Sequence, residues 1–228
     1  MNVKKTIVLL SGGLDSTVST SIALKKSRVV LALTFDYGQR AARREIEAAR
    51  KFCRFWKIKH RIVKLPWLAE ITNTALVNRS KNIPNVKKSD LNNSTIARAY
   101  ERTSKVWVPN RNALFINVAA AFAESLDADT IVTGFNKEEA ATFPDNSKRF
   151  VSLINKALIC STMKRPKVIS YTQEMTKADM VNYAIRNGVP LKYCWPCYEG
   201  GKKLCGRCES CVRFLTNLKC LTFIGIFT

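Results

Sequence analysis

The stretch that decides the fold is IVLLSGGLDSTVS, residues 7–19. A short β-branched apolar run, 3–10, has the length and composition of a buried strand. It meets two glycines, and a helix-favouring segment, 15–26, follows at once. In an open parallel sheet, ligands bind beyond the carboxyl ends of the strands, and Ser11, Gly12 and Gly13 stand at that end of the first strand. Glycine lets the backbone turn sharply and come close to a ligand. Successive amide groups then converge into an anion nest, and a helix amino terminus adds partial positive charge. The hydroxyls of Ser11, Ser16 and Thr17 supply further donors. Such a turn can hold a phosphate without a lysine of its own. It matches neither G-x-x-x-x-G-K-[ST] nor G-x-G-x-x-G, and two glycines alone would also suit an ordinary strand-to-helix turn. Asp15 is an acid beside this turn, placed either to cap the helix or to hold magnesium.

Outward from this turn, strands and helices alternate for nearly the whole chain. Strands are expected at 28–38, 58–65, 130–135 and 167–171, and helices at 41–56, 110–125 and 147–159. Ile46, Ala49, Cys53 and Trp56 recur at helical spacing. Thr176 with Asp179 three residues on is a variant capping box, and Gly188 sits where a left-handed residue closes a helix. Residues 72–107 are polar and read as a long functional or mobile loop. The alternation implies an α/β fold, a doubly wound and mostly parallel Rossmann-like sheet with helices on both faces. The expected division is an ATP-binding domain at 1–190 and a small metal-binding appendage at 191–228.

The chain has 228 residues, 46% hydrophobic and 24% charged, which places it among soluble globular proteins. No apolar run approaches the roughly 20 residues of a membrane helix, and the apolar run after the amino-terminal lysines stops at Ser11, too soon for a secretory signal. A cytoplasmic protein without a membrane partner is expected. Lys plus Arg number 38 against 17 Asp plus Glu, a net charge of +21. Such an excess attracts polyanions or steers anionic substrates. Without an arginine-rich tract carrying interleaved aromatics it reads equally as a solvated surface, so nucleic acid is not required.

Cys197, Cys205, Cys208 and Cys211 are spaced C-x7-C-x2-C-x2-C, with Gly206 easing the turn between them. Four thiolates so close in a reducing compartment favour a metal over disulfides. A closed tetrahedral zinc site with a structural role is the expectation, an iron–sulfur cluster the alternative. Cys194, in CWPC, offers a fifth sulfur that can replace Cys197. Cys53 belongs to a helix core stripe, and Cys160 and Cys220 have no assignment. His60, the one histidine, lies in an expected strand and is not read as catalytic.

The full string S-G-G-x-D-S-[ST] resembles the pyrophosphate loop of the N-type ATP pyrophosphatases. With TFDYGQR (34–40), VPNRN (108–112), VTGFNKEEAATFPD (132–145) and WPCYEGGKKLCGRCESC (195–211), nearly the whole chain resembles the 7-cyano-7-deazaguanine synthases. The wording around FPD is similar to archaeal members; the bacterial pattern has a cysteine and an arginine where this chain has Asn146 and Ser147. The resemblance implies an adenine nucleotide alpha hydrolase fold and an ATP-dependent carbon–nitrogen ligase. Its substrates would be 7-carboxy-7-deazaguanine, ammonia and ATP with Mg2+, and the product a precursor of queuosine or archaeosine. It implies ATP binding by Leu10, Ser11, Gly12, Gly13, Leu14, Asp15, Ser16, Thr17 and Val18, with Phe35 and Tyr37 near the adenine. Catalytic roles fall on Asp15, Ser16 and Arg111, and substrate contacts on Arg111, Asn112, Gly134, Phe135, Phe143 and Asp145. Arg111 opens a helix, an unfavourable place for a cation unless an anionic ligand meets it. Cys197, directly before Tyr198, is the family's choice over Cys194 for the structural zinc. A tRNA-thiolating enzyme of the same superfamily, or a non-catalytic ATP- and zinc-binding paralogue, remains the alternative. The apolar end, 218–228, suggests a homodimer contact.

Overall fold

A computed structural model describes residues 3–93 and 101–222 of the chain. Five strands, β1 (Lys5–Leu9), β2 (Arg28–Asp36), β3 (His60–Lys64), β4 (Thr130–Thr133) and β5 (Lys167–Ser170), all pair in parallel in the order β3-β2-β1-β4-β5. Each strand is one to three residues shorter than its sequence pattern; past the carboxyl ends of β1, β2 and β4, Leu10, Tyr37, Gly134 and Phe135 line the crevice there. The helices are α1 (Leu14–Lys26), α2 (Ala42–Phe55), α3 (Trp67–Glu70), α4 (Lys88–Asn93), α5 (Arg111–Leu126), α6 (Lys137–Ala140), α7 (Lys148–Ser161), α8 (Lys177–Arg186) and α9 (Glu209–Thr222).

The period of two along a strand sends neighbours to opposite faces, and both faces are covered. Val8, Ala32 and Val132 join Val18 of α1, Phe52 of α2 and Met180 of α8 in one core. Ile7, Leu33 and Ile131 join Ile116 of α5 and Leu158 of α7 in the other. Double coverage explains why β4, TIVT, is buried at every position with its two threonines included. β1 lies between β2 and β4, so the chain leaves the sheet to both sides there. The crevice at such a switch point is where ligands of this fold class bind.

Two glycines set that crevice. Gly12 has φ +80°, and a Cβ on it would stand 2.6 Å from Ala48 Cβ of α2. A Cβ on Gly134, just past β4, would stand 2.5 Å from Ser16 N and 2.7 Å from Ser16 Cα. The end of β4 therefore lies directly against the first turn of α1. On α8 the capping box forms as its sequence suggests, Thr176 accepting from Asp179 N while the Asp179 carboxylate accepts from Thr176 N. Gly188 follows with φ +63°.

Residues 72–107 are less loop-like than their composition suggests. They contain α4, and Leu76, Ile83 and Val106 bury with Tyr37, Cys197, Cys208 and Cys211 in a third cluster. Long-range backbone bonds hold the segment: Arg40 N to Leu76 O (2.8 Å), Ala75 N to Lys105 O (2.8 Å) and Val86 N to Arg207 O (2.8 Å). Its residues 94–100 lie outside the described residues, as do 223–228 of the apolar end expected to meet a partner subunit. Among the described residues no helix is long and apolar enough to cross a membrane.

Gly134→Ala is expected to cost about 1–3 kcal/mol by overpacking against backbone that cannot give. Gly201→Ala, where the nearest atom to a new Cβ is Lys203 O at 3.6 Å, serves as the neutral control. The urea midpoint of unfolding measures both.

Candidate active site

A cavity of about 250 Å3 opens at the carboxyl ends of β1, β2 and β4. Its floor is the turn into α1. The hydroxyls of Ser11 and Ser16 lie 3.0 Å apart, Ser16 Oγ accepts from Ser11 N (3.2 Å), and Ser11 Oγ accepts from Gly13 N (3.3 Å). These short-range bonds hold the turn open in a fixed shape. The helix starts after Gly13, which has no side chain to cap it. The first amides of a helix have no partner within it; here they belong to Leu14, Asp15 and Ser16, which line the cavity together with Leu10, Ser11 and Gly13.

Three of the expected nucleotide-binding residues stand elsewhere. Gly12 is turned against α2, and its carbonyl accepts from Trp195 N at 2.9 Å. Thr17 and Val18 are fully buried behind the turn. Phe35 and Tyr37 do form a wall, with Phe35 stacked on Phe115 at 3.9 Å between centroids.

The residue that sequence reasoning missed is Lys177. Its ammonium donates to both Asp15 oxygens (2.7 and 2.6 Å) and to Glu139 Oε1 (2.9 Å), and the residue is only 2% exposed. Burial opposes its charge, but the two carboxylates raise its pKa above the ordinary lysine value. Burial pushes the Asp15 carboxyl up to about 6; Lys177 works against that rise and Glu139 adds to it. For Glu139, which is partly exposed, desolvation acts upward but Lys177 outweighs it and holds the carboxyl below the usual range. All three groups are therefore charged near pH 7. A signal for Lys177 was present: it is the first residue of α8, the same unfavourable place for a cation that singled out Arg111.

Arg111 opens α5 after Asn110, which has φ +54°. It donates to Tyr37 Oη at 3.2 Å and lies 5.8 Å from that ring's centroid. Burial works against its charge, but Tyr37 and Asp145 keep its pKa above the ordinary value. Asn112, Gly134, Phe135 and Phe143 share the wall with it. Phe143 already stacks on Trp107, centroids 6.1 Å apart. Asp145 is not on the wall. Its carboxylate accepts from Asn146 Nδ2 at 3.2 Å, and burial raises its pKa against the pull of Arg111. Asn146, Gln39, Glu45, Trp195 and Tyr198 also line it and were not among the site residues expected from sequence. His60 is bonded to Thr34 Oγ1 at 2.8 Å, is lowered in pKa by burial, and is not part of the wall.

Beside the cavity the sulfurs of Cys197, Cys205, Cys208 and Cys211 all lie within 4.8 Å of one another. The 3.8 Å between Cys205 and Cys211 matches the edge of a tetrahedron of bonds of about 2.3 Å, the zinc–thiolate length. Backbone N–H groups of Glu199 and Cys205 point at Cys197 Sγ, and that of Cys208 at Cys205 Sγ. Gly206 takes φ +70° in the turn between them. Such donors favour thiolates, and the set can hold a soft divalent ion. Cys194 is not in it. That thiol is buried in the first core, which pushes its pKa up to about 12.

The family profile for queuosine biosynthesis protein QueC matches residues 5–220. A 7-cyano-7-deazaguanine synthase of Pelotomaculum thermopropionicum is 49% identical over 215 residues, covering 94% of this chain and 96% of that one. One of Methanosarcina mazei is 47% identical over 210 residues, covering 92% and 91%. Among solved structures, a 4-thiouridine synthetase in complex with RNA and bound ATP aligns with a TM-score of 0.50 at 20% identity. That alignment covers 97% of this chain and 52% of the other, and it speaks to the fold alone.

Lys177→Met is expected to destabilise by about 1–3 kcal/mol, since it leaves two part-buried carboxylates without their cation. Burial would then raise both carboxyls above their unfolded values, so the folded variant would bind more protons than the unfolded chain and lose stability as pH rises. Denaturation at pH 5 and pH 8 should show the larger deficit at pH 8.

Proposed function

The chain belongs to the family of queuosine biosynthesis protein QueC, and from that footing we propose how it makes 7-cyano-7-deazaguanine from 7-carboxy-7-deazaguanine, ammonia and ATP. The observation that carries the reading is the uncapped, amide-lined turn at residues 11–16, opening into a cavity at the switch point of the sheet. The amides of this turn and the α1 dipole take the pyrophosphate that leaves ATP. Phe35 and Tyr37 wall the adenine. Asn112, Gly134, Phe135 and Phe143 face the deazapurine, with Asp145 acting on Arg111 from behind the wall.

Arg111 offers its charge where the substrate carboxylate meets the α phosphorus. A carboxylate is ionised near pH 7, so this attack needs no general base. Positioning and charge stabilisation suffice for such a transfer. The product of the attack is an acyl adenylate; ammonia displaces AMP to give the amide, and a second adenylation, at the amide oxygen, permits elimination to the nitrile. Asp15 and Glu139 are hard oxygen donors at the phosphate end. Magnesium brought by ATP would meet these two groups and supply charge neutralisation, while Lys177 keeps both carboxylates aimed at that end. Zinc is our assignment for the four-cysteine cluster, with 191–228 as its appendage on an ATP-binding body of 1–190. A closed four-sulfur set leaves no position for a catalytic water, so its role is structural. The thiol-rich cluster also suits a reducing, cytoplasmic setting.

A tRNA-thiolating activity is not favoured. It needs a reactive cysteine at the nucleotide, and Cys194 is buried, raised in pKa to about 12 and not part of the cavity wall.

The test is incubation with ATP, ammonium and 7-carboxy-7-deazaguanine, with the nitrile detected by mass; no nitrile from a folded, zinc-loaded sample overturns the reading. Asp15→Ala should lower kcat/KM by about 100-fold or more and leave the fold intact, because Lys177 keeps Glu139. Metal analysis should find zinc stoichiometric with the chain. Cys208→Ser should lose that zinc and unfold at lower denaturant.

A further inference from the structure

Three carboxylates line the cavity, and they are not equivalent. Asp15 and Glu139 are bound by Lys177 at the phosphate end. Glu45, in the first turn of α2, has no cation within ion-pair distance among the described residues. Its single side-chain bond comes from Gln39 Nε2, which reaches Glu45 Oε2 at 2.8 Å.

Gln39 is itself fixed. Its Oε1 accepts from Tyr37 N at 2.9 Å, and its Nε2 spends one hydrogen on Phe35 O (3.0 Å) and the other on Glu45. Both amide hydrogens are committed, so the amide cannot flip and Glu45 is presented in one orientation. Around that carboxylate the lining is flat and aromatic. Phe115 and Trp195 offer ring surface there, beside the Phe35 and Tyr37 faces that wall the adenine. A half-buried carboxylate with one oxygen to spare, set among ring faces, is a receptor for a planar heterocycle bearing neighbouring N–H donors.

We propose that Glu45 recognises the 2-amino-4-oxopyrimidine edge of the substrate, its two oxygens accepting from the ring N–H and the exocyclic amino group. This rests on the functional reading above and deepens it. That edge lies on the other ring of the bicycle from the carboxyl group. The charge at Arg111 and the edge at Glu45 therefore engage different ends of one molecule, and the aromatic surface receives the plane between them. Glu45 is a specificity-determining residue: it chooses the base and leaves the adenylation chemistry to the phosphate end.

The test compares wild type and Glu45→Gln on 7-carboxy-7-deazaguanine and on its analogue lacking the 2-amino group. Wild type is expected to prefer the amino-bearing substrate by about 100-fold or more in kcat/KM, since a site built around a donor rejects a ligand without it. In Glu45→Gln the KM for 7-carboxy-7-deazaguanine should rise about 100-fold and the preference shrink to within about tenfold, with KM for ATP unchanged. Calorimetric titration with ATP reports whether the variant is folded. If it is not, Glu45→Asp, which keeps the charge and withdraws it by a methylene, takes its place with the same split expected. A variant that loses kcat while keeping KM and the preference overturns this inference alone. A wild-type protein that forms no nitrile overturns the functional reading and this inference with it.

Discussion

One buried ammonium holds the candidate site together. Lys177 reaches from the start of α8 to Asp15 on α1 and Glu139 on α6, three elements far apart in the chain. In a low-dielectric interior two carboxylates so near each other would repel, and each would rather take a proton than stay charged. The lysine reverses that preference, so the end of the cavity beside the phosphate turn keeps its charges. It also ties α1 to α8, whose side chains share one core. The geometry of the turn and the packing of that face of the sheet thus answer to the same interaction.

Cations at helix starts are a pattern in this molecule. Lys177 and Arg111 both occupy the first residue of a helix, where the dipole disfavours them. One is satisfied within the protein by two carboxylates. The other bonds, among the described residues, to a tyrosine hydroxyl and lies over that ring, with the field of Asp145 behind it. A cation left that incompletely matched at the wall of a cavity is poised for an anion from outside. The contrast separates a residue that builds the site from one that meets the ligand.

What the sequence disclosed was local. The turn at 11–16 was legible because its glycines and hydroxyls act within six residues, and the parallel sheet because apolar runs and helical periods alternate. The cysteine cluster was legible from its spacing, though only packing separates Cys197 from Cys194, which turns into the opposite core. The contacts that span the chain were not legible. Lys177 lies 162 positions from Asp15. Residues 72–107 looked like loop because their order comes from partners such as Arg207, which no local pattern announces. Gly12 looked like part of the phosphate grip because a sequence string does not say which way a peptide faces; its positive φ turns it toward α2 instead.

The hydrogen bond from Trp195 N to Gly12 O deserves its own reading. It joins the back of the phosphate turn to the chain two residues before Cys197. The cysteine-rich segment pins the peptide behind the turn and also reaches its open side, where Trp195, Pro196 and Tyr198 line the cavity. Loss of the geometry the four thiolates share would therefore disturb the floor and one wall of the cavity together.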